Sequence, residues 1–138
     1  MTAGGKDSEQ ALTETIGRYN EAWNAHDLDA IVAMHAPDMV FANHTAGESA
    51  SGAEVRAHIA SIFANSPDLR FTTRRLYVRQ GLVVQEWTAE ATRSGSAVSW
   101  EGIDAIPFED GLIKRKDVYS NSGSPAGLSD SSRVRSRP

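Results

Sequence analysis

Leu12, Ile16, Tyr19 and Trp23 stand four, three and four positions apart, so the spacing predicts an amphipathic helix from Ser8 to about Ala25 with these side chains on one face. The polar segment Asn24-Ala25-His26-Asp27 breaks that period. Asp27 is placed to cap a second, shorter helix carrying Leu28, Ile31, Val32 and His35 before Pro37 stops it. Met39-Val40-Phe41 reads as a short strand and HTAGESASG, from His44 to Gly52, as a loop. A third helix follows from Ala53 to Asn65, with Val55, Ile59, Ile62 and Phe63 on one face and Ser66-Pro67-Asp68 closing it.

Beyond Pro67 the period falls to about 2, as in a strand with one face buried. Leu69 to Val78, Leu82 to Thr92, Val98 to Phe108 and Leu112 to Tyr119 predict four strands, separated by Gln80-Gly81, Arg93-Ser94-Gly95 and Glu109-Asp110-Gly111. Asp-Gly between two apolar runs is a hairpin signal. The order helix, helix, strand, helix and four-strand meander predicts an α+β fold. One curved antiparallel sheet would be covered by three helices from the N-terminal half and enclose a cone-shaped pocket for a small molecule. The folded body is expected over residues 8–122, with residues 1–7 a disordered N-terminus and 123–138 a flexible polar tail.

Composition narrows the chemistry. At 138 residues and 40% hydrophobic the chain supports one core. With no cysteine it has no disulfide, no thiolate nucleophile and no Cys-ligated metal. The formal charge of -4 provides no basic face for nucleic acid. There is no run of roughly 18 apolar residues for a membrane span and no apolar leader in MTAGGKDSEQ, so the expected location is cytoplasmic. Neither glycine-rich nucleotide signature occurs, and the histidines and acids lack H-x-H or H-E-x-x-H spacing; no metal and no cofactor are expected.

Strand parity then groups the candidate residues. Trp87 and Ala89 face one way; Trp100, Gly102, Asp104 and Ile106 share a face; Lys116 and Val118 share another, with Asp117 outside, beside Arg115 or at a dimer face. Asp104 lies in the apolar run Gly-Ile-Asp-Ala-Ile-Pro-Phe, where an inward carboxyl would be raised in pKa by desolvation. The ordinary structural alternatives are plain core packing for the aromatic residues and a cross-strand ion pair of Asp104 with Lys116. His26 is expected in an exposed or capping role, and His58 on a solvated helix face.

Three stretches, RYNEAWNAHDLDAIVAMHAPDMVF, GAEVRAHIASIF and GIDAIPFEDGLIKRKDVYS, together resemble the SnoaL-like polyketide cyclase and ketosteroid isomerase branch of the nuclear-transport-factor-2-like superfamily. The resemblance covers almost the whole folded body. It implies that Tyr19 and Asp104 form an oxyanion hole. It also implies that Tyr19, Trp23, Phe41, Trp87 and Trp100 wall the cone, with Asp104, Asn43, His35 and Lys116 as its polar groups. The isomerase base position holds Asn43, which cannot take a proton. His35, in place of another isomerase tyrosine, or Lys116 would then move the proton, with Asn43 orienting the substrate. His44, next to Asn43, should face the other way. The charge set of the superfamily's epoxide hydrolases is missing: Trp87, Ala89, Val118 and Phe41 stand where it would be, and only Asn43 remains.

The reading that follows is a cofactor-independent cyclase or isomerase acting on a carbonyl-bearing apolar small molecule, such as a polyketide intermediate of secondary metabolism. One alternative is a non-catalytic binding domain of the same fold. The other is an epoxide-opening cyclase or dehydratase with Asp104 as proton donor. A homodimer through the outer sheet face is implied by the resemblance.

Overall fold

The computed structural model describes residues 5–122. Helix α1 (Glu9–Asn24) starts where the Ser8 side chain accepts from the Ala11 N–H, and it buries Leu12, Ile16, Tyr19, Ala22 and Trp23. His26, at a positive φ of 54°, turns the chain, and Asp27 caps helix α2 (Leu28–Ala33) by accepting from the Ala30 N–H. This helix is shorter than the sequence reading predicts. His35 begins strand β1 (His35–Asn43) instead of ending α2, because Pro37 disfavours a helical residue before it and because His35 registers with Ile113 of the last strand.

The expected loop after Asn43 also contains a strand. β2 (Glu48–Ser51) pairs antiparallel with β1, from Val40 opposite Ser51 to Asn43 opposite Glu48. Its sequence, Glu-Ser-Ala-Ser, has no apolar alternation, as suits an edge strand that buries only Ala50. Helix α3 (Glu54–Asn65) follows, then β3 (Arg70–Arg79), β4 (Leu82–Arg93), β5 (Ser96–Glu109) and β6 (Leu112–Ser120), each within two residues of its expected bounds.

The six strands form one curved, unclosed sheet in the order β2-β1-β6-β5-β4-β3. The sheet is not wholly antiparallel. β1 and β6 run parallel, because the chain between them passes through β2, α3 and the entire meander, and a crossover that long can bring a strand back in the same direction. α1 packs on β3 and β4, and α3 on β1 and β2. Leu12, Ile16, Ile31, Met39, Ile59, Val83, Ile106 and Ile113 are fully enclosed between the layers. Each such side chain contributes roughly 2 kcal/mol of burial free energy.

Polar cross-links fix the ends of the layers. The Asn24 amide donates to the Phe71 carbonyl (2.9 Å) and accepts from its N–H (2.8 Å), serving as a partner for edge strand β3. His26, expected to be exposed or capping, is half-buried. Its Nε2 donates to the Leu69 carbonyl at 2.8 Å, and its ring stacks on Phe63. Asp7, expected in a frayed end, accepts from the backbone N–H groups of Asp110 and Gly111 and so ties the start of the chain to the last hairpin. Residues 1–4 and the expected tail, 123–138, lie outside the described residues. No helix among the described residues is long and apolar enough to cross a membrane.

Candidate functional site

Alternation along β4 turns Val83, Gln85, Trp87, Ala89 and Ala91 toward the helices. On β5 the same alternation presents Asp104, Ile106 and Phe108, with Trp100 beyond them toward the open end. β6 needs an irregularity to do likewise. Between the pairs Ala105–Asp117 and Phe108–Ile113, two residues of β5 face three of β6. The extra residue reverses the parity of β6, so Ile113 fills the core while Lys116 and Val118 also point inward. These faces enclose a cavity of about 340 Å³, within the range of small-molecule sites. Trp23, Phe41, Phe71, Trp87 and Trp100 supply its aromatic walls.

Trp87 depends on a glycine. It registers with Gly102, and a Cβ there would lie 2.3 Å from the indole ring. Only a residue without a side chain lets Trp87 lie across β5.

Asp104 lines the cavity and is 3% exposed. Its cross-strand partner Gln85 donates from Nε2 to Oδ2 at 3.2 Å. Gln85 is held in turn by Asn20 of α1 through reciprocal amide bonds of 2.8 and 3.1 Å. Oδ1 of Asp104 is enclosed without a hydrogen-bond partner. Burial pushes the Asp104 carboxyl up from its ordinary value, opposed by the Lys116 charge, the Trp87 indole and the Gln85 amide. Since Oδ2 already accepts, the neutral acid carries its proton on Oδ1.

Lys116, 6% exposed, places Nζ 4.1, 4.9 and 5.2 Å from the ring centres of Trp23, Tyr19 and Phe41. It forms no ion pair with Asp104; the salt bridges among the described residues involve other groups. The ordinary alternative of a cross-strand pair locking the carboxylate is therefore absent. Burial pulls the Lys116 ammonium below its usual pKa, with the Asp104 charge acting against that.

Tyr19 and His35 stand behind the wall. The Tyr19 ring is fully enclosed, its hydroxyl shares a 2.9 Å hydrogen bond with His35 Nε2, and neither residue lines the cavity. Burial raises the Tyr19 phenol above its ordinary range. Burial, then the Lys116 charge, pushes His35 down to about 4, so its imidazole is neutral at pH 7. The fold does not bring Tyr19 and Asp104 together as a hydrogen-bonded pair. Asn43 does line the cavity, and its Oδ1 accepts from the Ala46 N–H at 3.1 Å.

His44 faces outward as parity predicts, stacked on Tyr119 and donating to Asp117 at 2.7 Å, while Arg115 holds the other oxygen of Asp117 at 2.8 Å. His58, expected on a solvated face, is half-buried with its ring edge-on to Phe41, because it flanks the buried stripe of α3. No cluster of three or more His, Asp or Glu side chains able to hold a metal occurs among the described residues. Sequence reasoning passed over Gln85, Asn20 and Arg93. Gln85 had a signal, the one polar residue in an inward row of apolar ones. Arg93, whose guanidinium lies 4.7 Å from the Trp100 ring, had none.

Comparisons with known proteins agree with this architecture. The SnoaL-like domain family matches residues 16–116. Among solved structures, AclR from Streptomyces galilaeus, provisionally named a hydroxylase, superposes with a TM-score of 0.73 at 22% identity, over 83% of this chain and 81% of that one. A protein of Jannaschia sp. CCS1, provisionally named a SnoaL-like polyketide cyclase, gives 0.72 at 21%, over 82% and 87%. An NTF2-like protein of unknown function from Burkholderia pseudomallei gives 0.75 at 19%, over 84% and 95%. No curated protein matches by sequence. At these identities the solved structures establish the fold alone.

Proposed function

The chain belongs to the SnoaL-like domain family, and from that premise we propose that it is a cofactor-independent cyclase or isomerase for a flat, largely apolar, carbonyl-bearing substrate such as a polyketide intermediate. The observation that carries this reading is the Asp104 carboxyl, set in an aromatic-walled cavity with Oδ1 unpartnered and its pKa raised by burial. A turn of the carboxyl about its Cβ–Cγ bond brings the proton from the enclosed Oδ1 position to the cavity that Asp104 lines, where a substrate carbonyl oxygen accepts it as a hydrogen bond. Lys116, in the neutral form that burial favours, removes a proton from the adjacent carbon, and charge developing on the oxygen is met by the Asp104 donor. Asn43 orients the substrate from the β1 side. His35 does not reach the cavity, so the proton-moving role falls to Lys116. Tyr19 and His35 act through it, by holding the ring against which Nζ rests.

The test is exchange of α-hydrogens for deuterium in a flat aryl β-diketone, followed by NMR. Asp104→Ala is expected to slow exchange about a hundredfold, the usual consequence of removing a preorganised donor; equal rates in the two proteins would overturn the proposal. A non-catalytic binding role is the second reading, favoured by Asn43 in what the resemblance makes the isomerase base position. A tight complex that returns its ligand unexchanged would replace the first reading by the second.

A further inference from the structure

The chain has eleven arginines but only three lysines, Lys6, Lys114 and Lys116, and one of the three is buried in the cavity wall. Lys6 is exposed, and Lys114 reaches Glu109 at 3.3 Å and Asp38 at 3.6 Å. Lys116 has no such partner. Among the described residues it makes no side-chain hydrogen bond and no ion pair, and its Nζ stands over three aromatic rings. The polar side-chain atoms fully enclosed without a partner are Trp23 Nε1 and Asp104 Oδ1. Nζ of Lys116 is not among them, so it is open to the cavity that its side chain lines. A primary amine in this setting, with aromatic rings about Nζ and no hydrogen-bonded or ionic partner to hold its lone pair, has the ingredients of a nucleophile toward carbonyl carbon. Asp104 lines the same cavity, and its unshared oxygen, enclosed as the carboxyl now stands, reaches a ligand there by the same turn about Cβ–Cγ.

We propose that Lys116 captures the carbonyl group of a ketone or aldehyde ligand covalently, as an imine, with Asp104 as the acid that removes the oxygen. This deepens the carbonyl-substrate reading above and rests on it for the class of ligand. The Nζ lone pair forms the C–N bond while the carbonyl π pair moves to oxygen, which takes the Asp104 proton. The carboxylate recovers a proton from the alkylated nitrogen, giving the neutral carbinolamine. Asp104 then protonates the hydroxyl, which leaves as water as the nitrogen lone pair closes the C=N bond. The product is an iminium ion facing the Asp104 carboxylate. No oxidant, reductant or cofactor enters this balance. The cationic nitrogen draws electrons from the neighbouring carbon more strongly than the parent carbonyl does, which eases loss of a proton from that carbon to the Asp104 carboxylate, Lys116 being engaged in the C=N bond.

The shifted acidities agree with the geometry. Burial lowers Lys116 and raises Asp104, so desolvation favours amine plus acid over an ion pair.

The experiment uses the full chain with saturating 2-acetylnaphthalene, a flat aryl ketone, and sodium borohydride. The hydride reduces any iminium to a stable secondary amine, and peptide mass mapping locates it. The expected result is an adduct of ligand minus water plus two hydrogens on Lys116, at least about tenfold above Lys6 and Lys114. Lys116→Arg, which keeps the cation but not the nucleophile, should show none. Asp104→Asn should form the adduct more slowly at the same residue. Absence of adduct on Lys116, or labelling no greater than at Lys6 and Lys114, overturns the proposal. Measuring α-deuterium exchange of the same ketone separates the two readings. Exchange without trapping removes the imine and leaves the acid–base reading; trapping without exchange keeps the imine and removes that reading; neither removes both.

Discussion

Asp104, Lys116 and His35 are each displaced by burial toward the neutral form, and each displacement has a consequence for stability that depends on pH. The Asp104 carboxyl is raised, so its favourable contribution is complete below the ordinary carboxylate range and is lost as pH climbs through its folded value. Asp104→Asn, which removes that ionisation and keeps a polar side chain of equal size, should melt progressively higher than the parent as pH rises from about 4. His35 is lowered to about 4 and has the opposite sign. Its contribution is complete above the ordinary imidazole value and is lost as pH falls toward about 4, a difference on the order of 3 kcal/mol. His35→Gln keeps a partner for the Tyr19 hydroxyl, so thermal melts between pH 7 and pH 4 should show a shallower acid-side fall in this variant; parallel curves would show that His35 does not couple protonation to folding. At this scale alternation grouped Asp104 with Trp100 and Ile106 and Lys116 with Val118, while the family resemblance was needed to say which face lines the cone. Tyr19 was legible as an inward residue, but its partner was not. It meets His35, at a separation of 16 residues, because the chain leaves α2 early and enters β1.

The elements were legible where period and punctuation agreed. α1, α3 and the four meander strands follow the apolar repeat and the Gly-containing turns, since burial of one face dictates both the repeat and the fold. β2 escaped notice because an edge strand beside one neighbour carries little apolar demand, and the extra residue of β6 was hidden because it shows only against its partner β5. That irregularity decides where Lys116 points, and so decides the chemistry. Gly102 is the corresponding device on β5. Gly102→Ala should push Trp87 off the strand and into the cavity, destabilising the protein by about 1–3 kcal/mol, as overpacking generally does. Lower melting together with weaker binding of a flat aryl ketone is the expected outcome. A variant that binds as well as the parent would show that the cavity wall does not require Trp87 in this position.

The whole molecule presents two unlike faces. The concave side carries the helices and the cavity, while the convex side exposes Tyr77, Leu82, Ile103 and Tyr119 from four adjacent or near-adjacent stretches of β3 to β6. Large apolar side chains in such an array favour association, and we propose a homodimer through this face. Light scattering should give twice the chain mass, and Tyr77→Glu combined with Tyr119→Glu should return it to the monomer value. A monomeric parent protein would remove the proposal.

The amino-acid sequence by itself determined the class of fold, the three helices, the meander and the grouping of Asp104 with Trp100, Gly102 and Ile106 on one strand face. Each of these follows from a repeat of two or 3.6 residues, and such repeats are local. Tertiary structure alone decided that β1 and β6 run parallel, that Lys116 approaches three aromatic rings and not a carboxylate, and that Tyr19 answers to His35. Those outcomes depend on register between strands distant in the chain, where one added residue exchanges the faces of everything beyond it.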